Sequence, residues 1–223
     1  MLDVGCWVFK EELTMSAISP RLLKGAIVSL DPDTGIPRGI ILLQYNPDSI
    51  TRSLQPQTIG DEPDRTEILR LKGPPIETIK CTAEIDATDL MAVGDPVTQQ
   101  FGIQPQLSAL EMLVYPSSVD LILNEALSLL GTVEIVPMES ALTLFVWSKT
   151  RVTPVRITEL SITENAFDPQ LNPIRASVSL GMRVLNVNDV GFLTPAGALY
   201  MVYQIEKEAL ALVSQVSTIA NLF

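Results

Sequence analysis

Carboxylate pairs come nearest to a catalytic constellation in this chain: Glu84 with Asp86, and Asp86 with Asp89. Set across a sugar ring, two such groups can protonate a leaving oxygen and attack or steady the cation that results. Glu84 and Asp86 are two positions apart in an alternating stretch, so they share the wet face of a strand, and a glycosidase would need its second carboxyl from elsewhere. A polar row is the simpler reading. Asp31, Asp33 and Gly35 echo the start of a calcium loop, but the ligand positions beyond them hold Pro37 and Ile41 in place of acids. Cys6 and Cys81 have no CxxC spacing, and the chain has 0 histidines to complete a zinc site with them.

The missing histidine removes serine–histidine and cysteine–histidine triads and the commonest general acid–base group. No GxSxG elbow, P-loop or GxGxxG fingerprint occurs, and Gly35 to Gly39 (GIPRG) reads as a hairpin turn. Trp7 belongs to a terminal stretch, and Trp147 reads as a core or interface aromatic before a sugar platform. The expectation is therefore no enzyme, no cofactor and no metal. A small-ligand or enzymatic barrel stays as the remote alternative, to be recognised by an apolar pocket with convergent polar side chains.

Charge and hydropathy narrow the partners. With 26 acidic against 15 basic residues the net charge is −11, the reverse of a surface that displaces counterions from phosphates, so no nucleic acid is expected. No apolar run reaches the ~18 residues a membrane span needs, which argues against direct membrane insertion. The apolar stretch Gly5 to Phe9 lacks a basic flank and is followed by Lys10-Glu11-Glu12, unlike a secretory signal. Met15 is an alternative start, so residues 1–21 read as an N-terminal extension, disordered or a start-site artefact. A positive mean hydropathy of +0.29 in a chain of this charge suggests surface that is covered by neighbours.

Most of the chain alternates with period two. Ile79, Cys81, Ala83, Ile85 and Ala87 face away from Thr78, Lys80, Thr82, Glu84 and Asp86, and Ile174 to Val184 repeats the pattern against Arg175, Ser177, Ser179, Gly181 and Arg183. Between Val152 and Ile162 the parity slips, which a β-bulge at Thr158 or Glu159 would restore. Further strands are predicted at Ala26–Leu30, Ile40–Tyr45, Ser49–Leu54, Thr66–Leu71 and Leu142–Trp147. Asn46-Pro47-Asp48 predicts a hairpin between the second and third of these, and Gln55 to Pro75 a long charged arm. Helices are predicted over Gln106–Val114, Ser118–Leu130 and Ala198–Leu222, the last with an apolar seam of Leu199, Val202, Ile205, Ala209, Leu212, Val216, Ile219 and Phe223. The fold class is mainly β with helices (α+β).

Four stretches together resemble the tube-type domain of baseplate and tube proteins from extracellular contractile injection systems, relatives of phage tail tubes. They are Gly35 to Leu54 (GIPRGIILLQYNPDSITRSL), Arg70 to Asp89 (RLKGPPIETIKCTAEIDATD), Gly102 to Pro116 (GIQPQLSALEMLVYP) and Leu142 to Leu185 with its FDPxLNPxRA connection. The resemblance implies an antiparallel tail-tube-like β-barrel with inserted helices over 22–197, followed by a contact helix at 198–223. It also implies a homo-hexameric ring whose sheet edges pair between subunits, with Lys80, Glu84, Asp86, Arg175 and Arg183 facing the lumen or a neighbour. No LysM module, which such proteins often carry after the tube domain, is recognisable. The apolar seam favours an adaptor ring at the baseplate, joining a spike or hub protein to the inner tube protein beside baseplate wedge proteins; the alternative is a plain inner-tube subunit. Cytoplasmic assembly into a phage-tail-like particle is the implied location.

Overall fold

Alternating polarity makes the long strands of this chain, and the computed structural model describes residues 23–31, 34–58, 70–129 and 142–220. The strands are β1 (Ala26–Leu30), β2 (Pro37–Leu42), β3 (Ile50–Thr58), β4 (Leu71–Asp86), β5 (Leu142–Ser148), β6 (Arg151–Phe167) and β7 (Pro173–Val184). Their pairings are antiparallel throughout, and they join into a 7-stranded sheet in the order β2-β1-β5-β6-β7-β4-β3. Helices α1 (Thr88–Ala92), α2 (Pro96–Phe101), α3 (Gln104–Glu111) and α4 (Ser118–Leu129) stand between β4 and β5, and α5 (Val187–Val190) and α6 (Pro195–Ala220) follow β7.

The expected closed barrel does not form. β2 and β3 are the two edges of the sheet, and no ladder joins them among the described residues. Each edge carries a proline that limits its pairing run. Pro37 opens β2 and Pro56 interrupts β3 where the register shifts, and neither has an N–H to donate to a ladder. The same strand order corrects the hairpin predicted at Asn46-Pro47-Asp48. Asn46 instead accepts from the Gly25 N–H at 2.8 Å and donates to the Leu23 carbonyl at 2.7 Å, while Gln44 bonds both backbone groups of Asp86. The linker's polar side chains thus satisfy the ends of β1 and β4 rather than a turn of their own.

The arm expected from Gln55 to Pro75 is largely sheet. β3 and β4 stay paired past Pro56, with Gln57 opposite Gly73 and Thr58 opposite Leu71, which also absorbs the end of the strand expected at Thr66–Leu71. Residues 66–69, like Cys6, Trp7, Met15, Asp33 and the rest of residues 1–21, lie outside the described residues. The predicted bulge is present: the β6–β7 register shifts between Ile157 and Glu159. Opposite it stands Gly181, where a Cβ would come within 2.9 Å of that of Glu159, so the bulged strand packs against a position without a side chain.

Two apolar layers hold the sheet. One face gathers the alternating sets of β4 and β7, Ile79, Cys81, Ala83, Val178, Leu180 and Met182, with Ile27, Phe145 and Val155, and receives Leu107 and Leu110 of α3. The other face of β1 and β5 buries Ala26, Val28, Leu142, Leu144 and Val146 against Ala196, with Leu199 partly buried beside them. Burial on both sides explains why β1 and β5 read as continuous apolar runs without alternation. Pro195 opens α6 and the Thr194 hydroxyl accepts from the Gly197 N–H at 3.1 Å, a proline and cap pairing that starts the helix ahead of the predicted Ala198.

Candidate functional site

Where β3, β4 and α6 meet, the inward parity of β4 carries a charge. Glu77 continues the row of Ile79, Cys81 and Ala83 and is 3 % exposed. A buried carboxylate costs several kcal/mol unless it is paired and hydrogen-bonded on each oxygen, and Glu77 is. Its Oε1 accepts from Arg52 Nε at 2.8 Å, lies 2.6 Å from Arg52 Nη2 and accepts from the Tyr203 hydroxyl at 3.0 Å. Its Oε2 accepts from Lys207 Nζ at 3.0 Å. Arg52 also donates to the Tyr203 oxygen at 3.1 Å, and the Lys207 ammonium sits 4.0 Å above the Tyr203 ring.

Spacing makes this arrangement possible. Arg52 stands opposite Ile79 in the β3–β4 ladder, which puts it on the same face as Glu77, and Tyr203 and Lys207 are one helical turn apart on α6. Burial alone would raise the Glu77 pKa, but hydrogen bonds and charge from Lys207 and Arg52 outweigh it and hold the carboxyl below the usual glutamate range. Burial, helped by the Glu77 charge, pushes the Tyr203 phenol up to about 12. A carboxylate so held is a poor general base and a phenol so held stays a donor. The chemistry of the cluster is fastening: it ties α6 to the β3–β4 edge.

Beside this clamp lies a cleft of about 360 Å³ between the β5–β6 turn and α6, lined by Arg52, Arg151, Tyr203 and Lys207 with Trp147 and Leu210. Trp147 stacks on the core Phe145 with ring centroids 6.1 Å apart, so its position is set from below. Among the described residues no group of three or more His, Cys, Asp or Glu is placed to hold a metal ion. Asp31, the first residue of the calcium-like stretch, caps the β1–β2 turn through the Thr34 N–H at 2.9 Å and pairs with Arg38.

The five polar residues singled out in the sequence share the opposite face of β4 and β7 from the core. Asp86 and Arg175 stand opposite each other and pair at 2.6 Å, with Asp86 also accepting from Thr88. Lys80 reaches Glu159 at 3.5 Å, Glu84 is exposed opposite Ser177, and Arg183 pairs with Asp189 at 2.7 Å. They form a hydrophilic sheet face and not one cluster. On α6 the face that packs is Tyr200, Tyr203 and Lys207; of the expected seam, Leu199 is partly buried, whereas Val202, Ile205, Ala209 and Leu212 are exposed. The side chains of Val216 and Ile219, and all of Phe223, lie outside the described residues.

The clamp escaped the sequence reading, although a signal existed. Glu77 sits at core parity in the cleanest strand of the chain, and a lone acid there demands buried cations. The chain matches no family model and no curated protein.

Proposed function

We propose that this chain is a non-catalytic ring subunit of a contractile injection particle, a homo-hexameric adaptor at the baseplate that joins the spike or hub to the inner tube. The observation that carries the reading is the open sheet, whose two edges pair with no further strand among the described residues. A bare edge invites another strand, and natural proteins cover, shorten or charge it. Beside Arg38 and the two prolines, both edges still carry exposed apolar side chains, Ile40 and Leu42 on β2 and Leu54 on β3. A contact of β2 on one copy with β3 on the next is heterologous, and such contacts close into a ring when the rotation between copies allows. The prolines limit that pairing to about five or six residues, Arg38–Leu42 and Ile50–Gln55, an ordinary strand length.

Two further features support the same reading. The hydrophilic β4–β7 face, with Ser177 and Ser179 between the charged pairs, suits a wall that borders water. Beyond Lys207, α6 runs on with Leu210, Leu212 and Val213 exposed, a projection of roughly 20 Å at 1.5 Å per residue. That projection separates the adaptor from the inner-tube subunit, since stacking identical rings gives no evident use to a protruding apolar helix. Negative-stain images of the purified chain with its spike partner test the proposal, with hexameric rings capped by spikes as the expected result. Monomeric particles that ignore the spike would overturn it. Deleting Val213 to Phe223 should leave rings intact and abolish attachment to the baseplate if the chain is the adaptor.

A further inference from the structure

The cleft beside the clamp has more positive charge than the clamp consumes. Glu77 is the carboxylate that engages Arg52 and Lys207, and Arg151 has no salt-bridge partner among the described residues. The charged groups that act on the Tyr203 hydroxyl at the cleft wall are Glu77, Arg52 and Arg151, and the nearby Glu208 accepts from Gln204 on its own helix. In a chain of net charge −11, a pocket with this surplus is an inversion of the surrounding field. Arg52 uses Nε and Nη2 on the clamp, Lys207 one of its three donors, and the fork of Arg151 has no carboxylate to grip. Trp147, stacked on Phe145, and the exposed Leu210 add apolar surface beside Ser148 and Thr150.

We propose that this cleft is an oxyanion-binding site that takes a carboxylate side chain from an acidic peptide segment of a partner chain. The inference rests on the adaptor reading, because the cleft is lined by Tyr203, Lys207 and Leu210, where the packed half of α6 gives way to its exposed half. About 360 Å³ sits at the low end of ligand-pocket volumes, enough for one or two side chains. Cations for the carboxylate and apolar surface at Trp147 and Leu210 for its neighbour match a peptide better than a free acid. Phosphate would meet the same cations, so inorganic phosphate is a necessary competitor.

The test is calorimetric titration of the full chain with an acidic, leucine-containing hexapeptide, with the same peptide bearing glutamines for its glutamates, with glutarate and with inorganic phosphate. The acidic peptide should bind with an affinity that falls as salt rises, and the glutamine peptide should not bind. Arg151→Gln lies outside the clamp and should weaken binding about tenfold or more with unchanged thermal stability. Leu210→Glu, an exposed position at the rim, should do the same by placing a competing carboxylate, and it serves if Arg151→Gln fails to fold. Peptide binding that neither variant weakens overturns the site, as does no binding at all. Glutarate or phosphate binding as tightly as the peptide overturns the assignment to a peptide. Sedimentation of the same samples reports ring formation separately, so loss of the cleft and failure of the ring are distinct results.

Discussion

Removing the Glu77 carboxylate would leave Arg52 and Lys207 crowded around Tyr203 with no negative charge between them. Breaking one partner out of a fully buried ion pair costs about 3–5 kcal/mol, and because the Arg52 and Lys207 side chains are 32 % and 31 % exposed and regain part of their hydration, the cost here falls to about 1–3 kcal/mol. Glu77→Ala should therefore lower the unfolding free energy by an amount in that range, measured by urea titration, while Glu84→Ala on the wet face should change it by less than about 0.5 kcal/mol. The clamp also fixes a pH dependence. A carboxyl whose folded pKa lies below its unfolded value near 4.5 stabilises the fold above that value, and the contribution disappears as pH falls through the folded pKa. Melting temperatures should drop more steeply as pH falls below about 4.5 in the native chain than in Glu77→Gln. Cys81 offers an independent check on the same face: burial pushes its thiol up to about 11. In a Cys6→Ser background it should stay unreactive to a disulfide reagent at pH 8, about the ordinary thiol pKa, until denaturant is added.

At the scale of elements, the junction between α2 and α3 depends on one residue without a side chain. Gly102 has φ of +58°, and a Cβ there would lie 2.1 Å from the Pro173 carbonyl oxygen at the start of β7. The adjacent Ile103 N–H donates to that same carbonyl at 2.8 Å, so the helical insertion is pinned to the sheet at this point. Gly102→Ala should cost roughly 3 kcal/mol or more and displace Leu107 and Leu110 from the core, read as a lower melting temperature and lost hydrogen-exchange protection in β7. The elements themselves were largely legible in the sequence. Period-two alternation located β4 and β7, the parity slip located the bulge at Thr158, and the helix expected from Ser118 begins there as α4. Partner choice was not legible, because Asn46-Pro47-Asp48 is good turn chemistry whether the strands it links are neighbours or opposite edges. The clamp was hidden for a related reason: Arg52, Glu77 and Tyr203 are far apart in sequence, and only the fold of α6 over the β3–β4 edge brings them together.

For the molecule as a whole, the open sheet is the property that local patterns could not supply, since closure depends on whether two edges meet after every other pairing is satisfied. The same openness gives the assembly reading its sharpest test. Ile40 on β2 and Leu54 on β3 are 48 % and 49 % exposed, so replacing either with lysine should leave the monomer's circular dichroism and melting temperature unchanged. If β2 of one copy meets β3 of the next, each lysine falls at that contact, where burying an unpaired ammonium weakens association about tenfold or more. A closed ring repeats the same contact at every interface, so the penalty recurs around the circle and either Ile40→Lys or Leu54→Lys alone should convert rings to monomers in sedimentation. Arg156→Ala, on an exposed position of the interior strand β6, should leave rings intact. Rings that persist in both lysine variants would place the subunit contact elsewhere than the edges, and with it the strongest structural reason to read this chain as a ring-former.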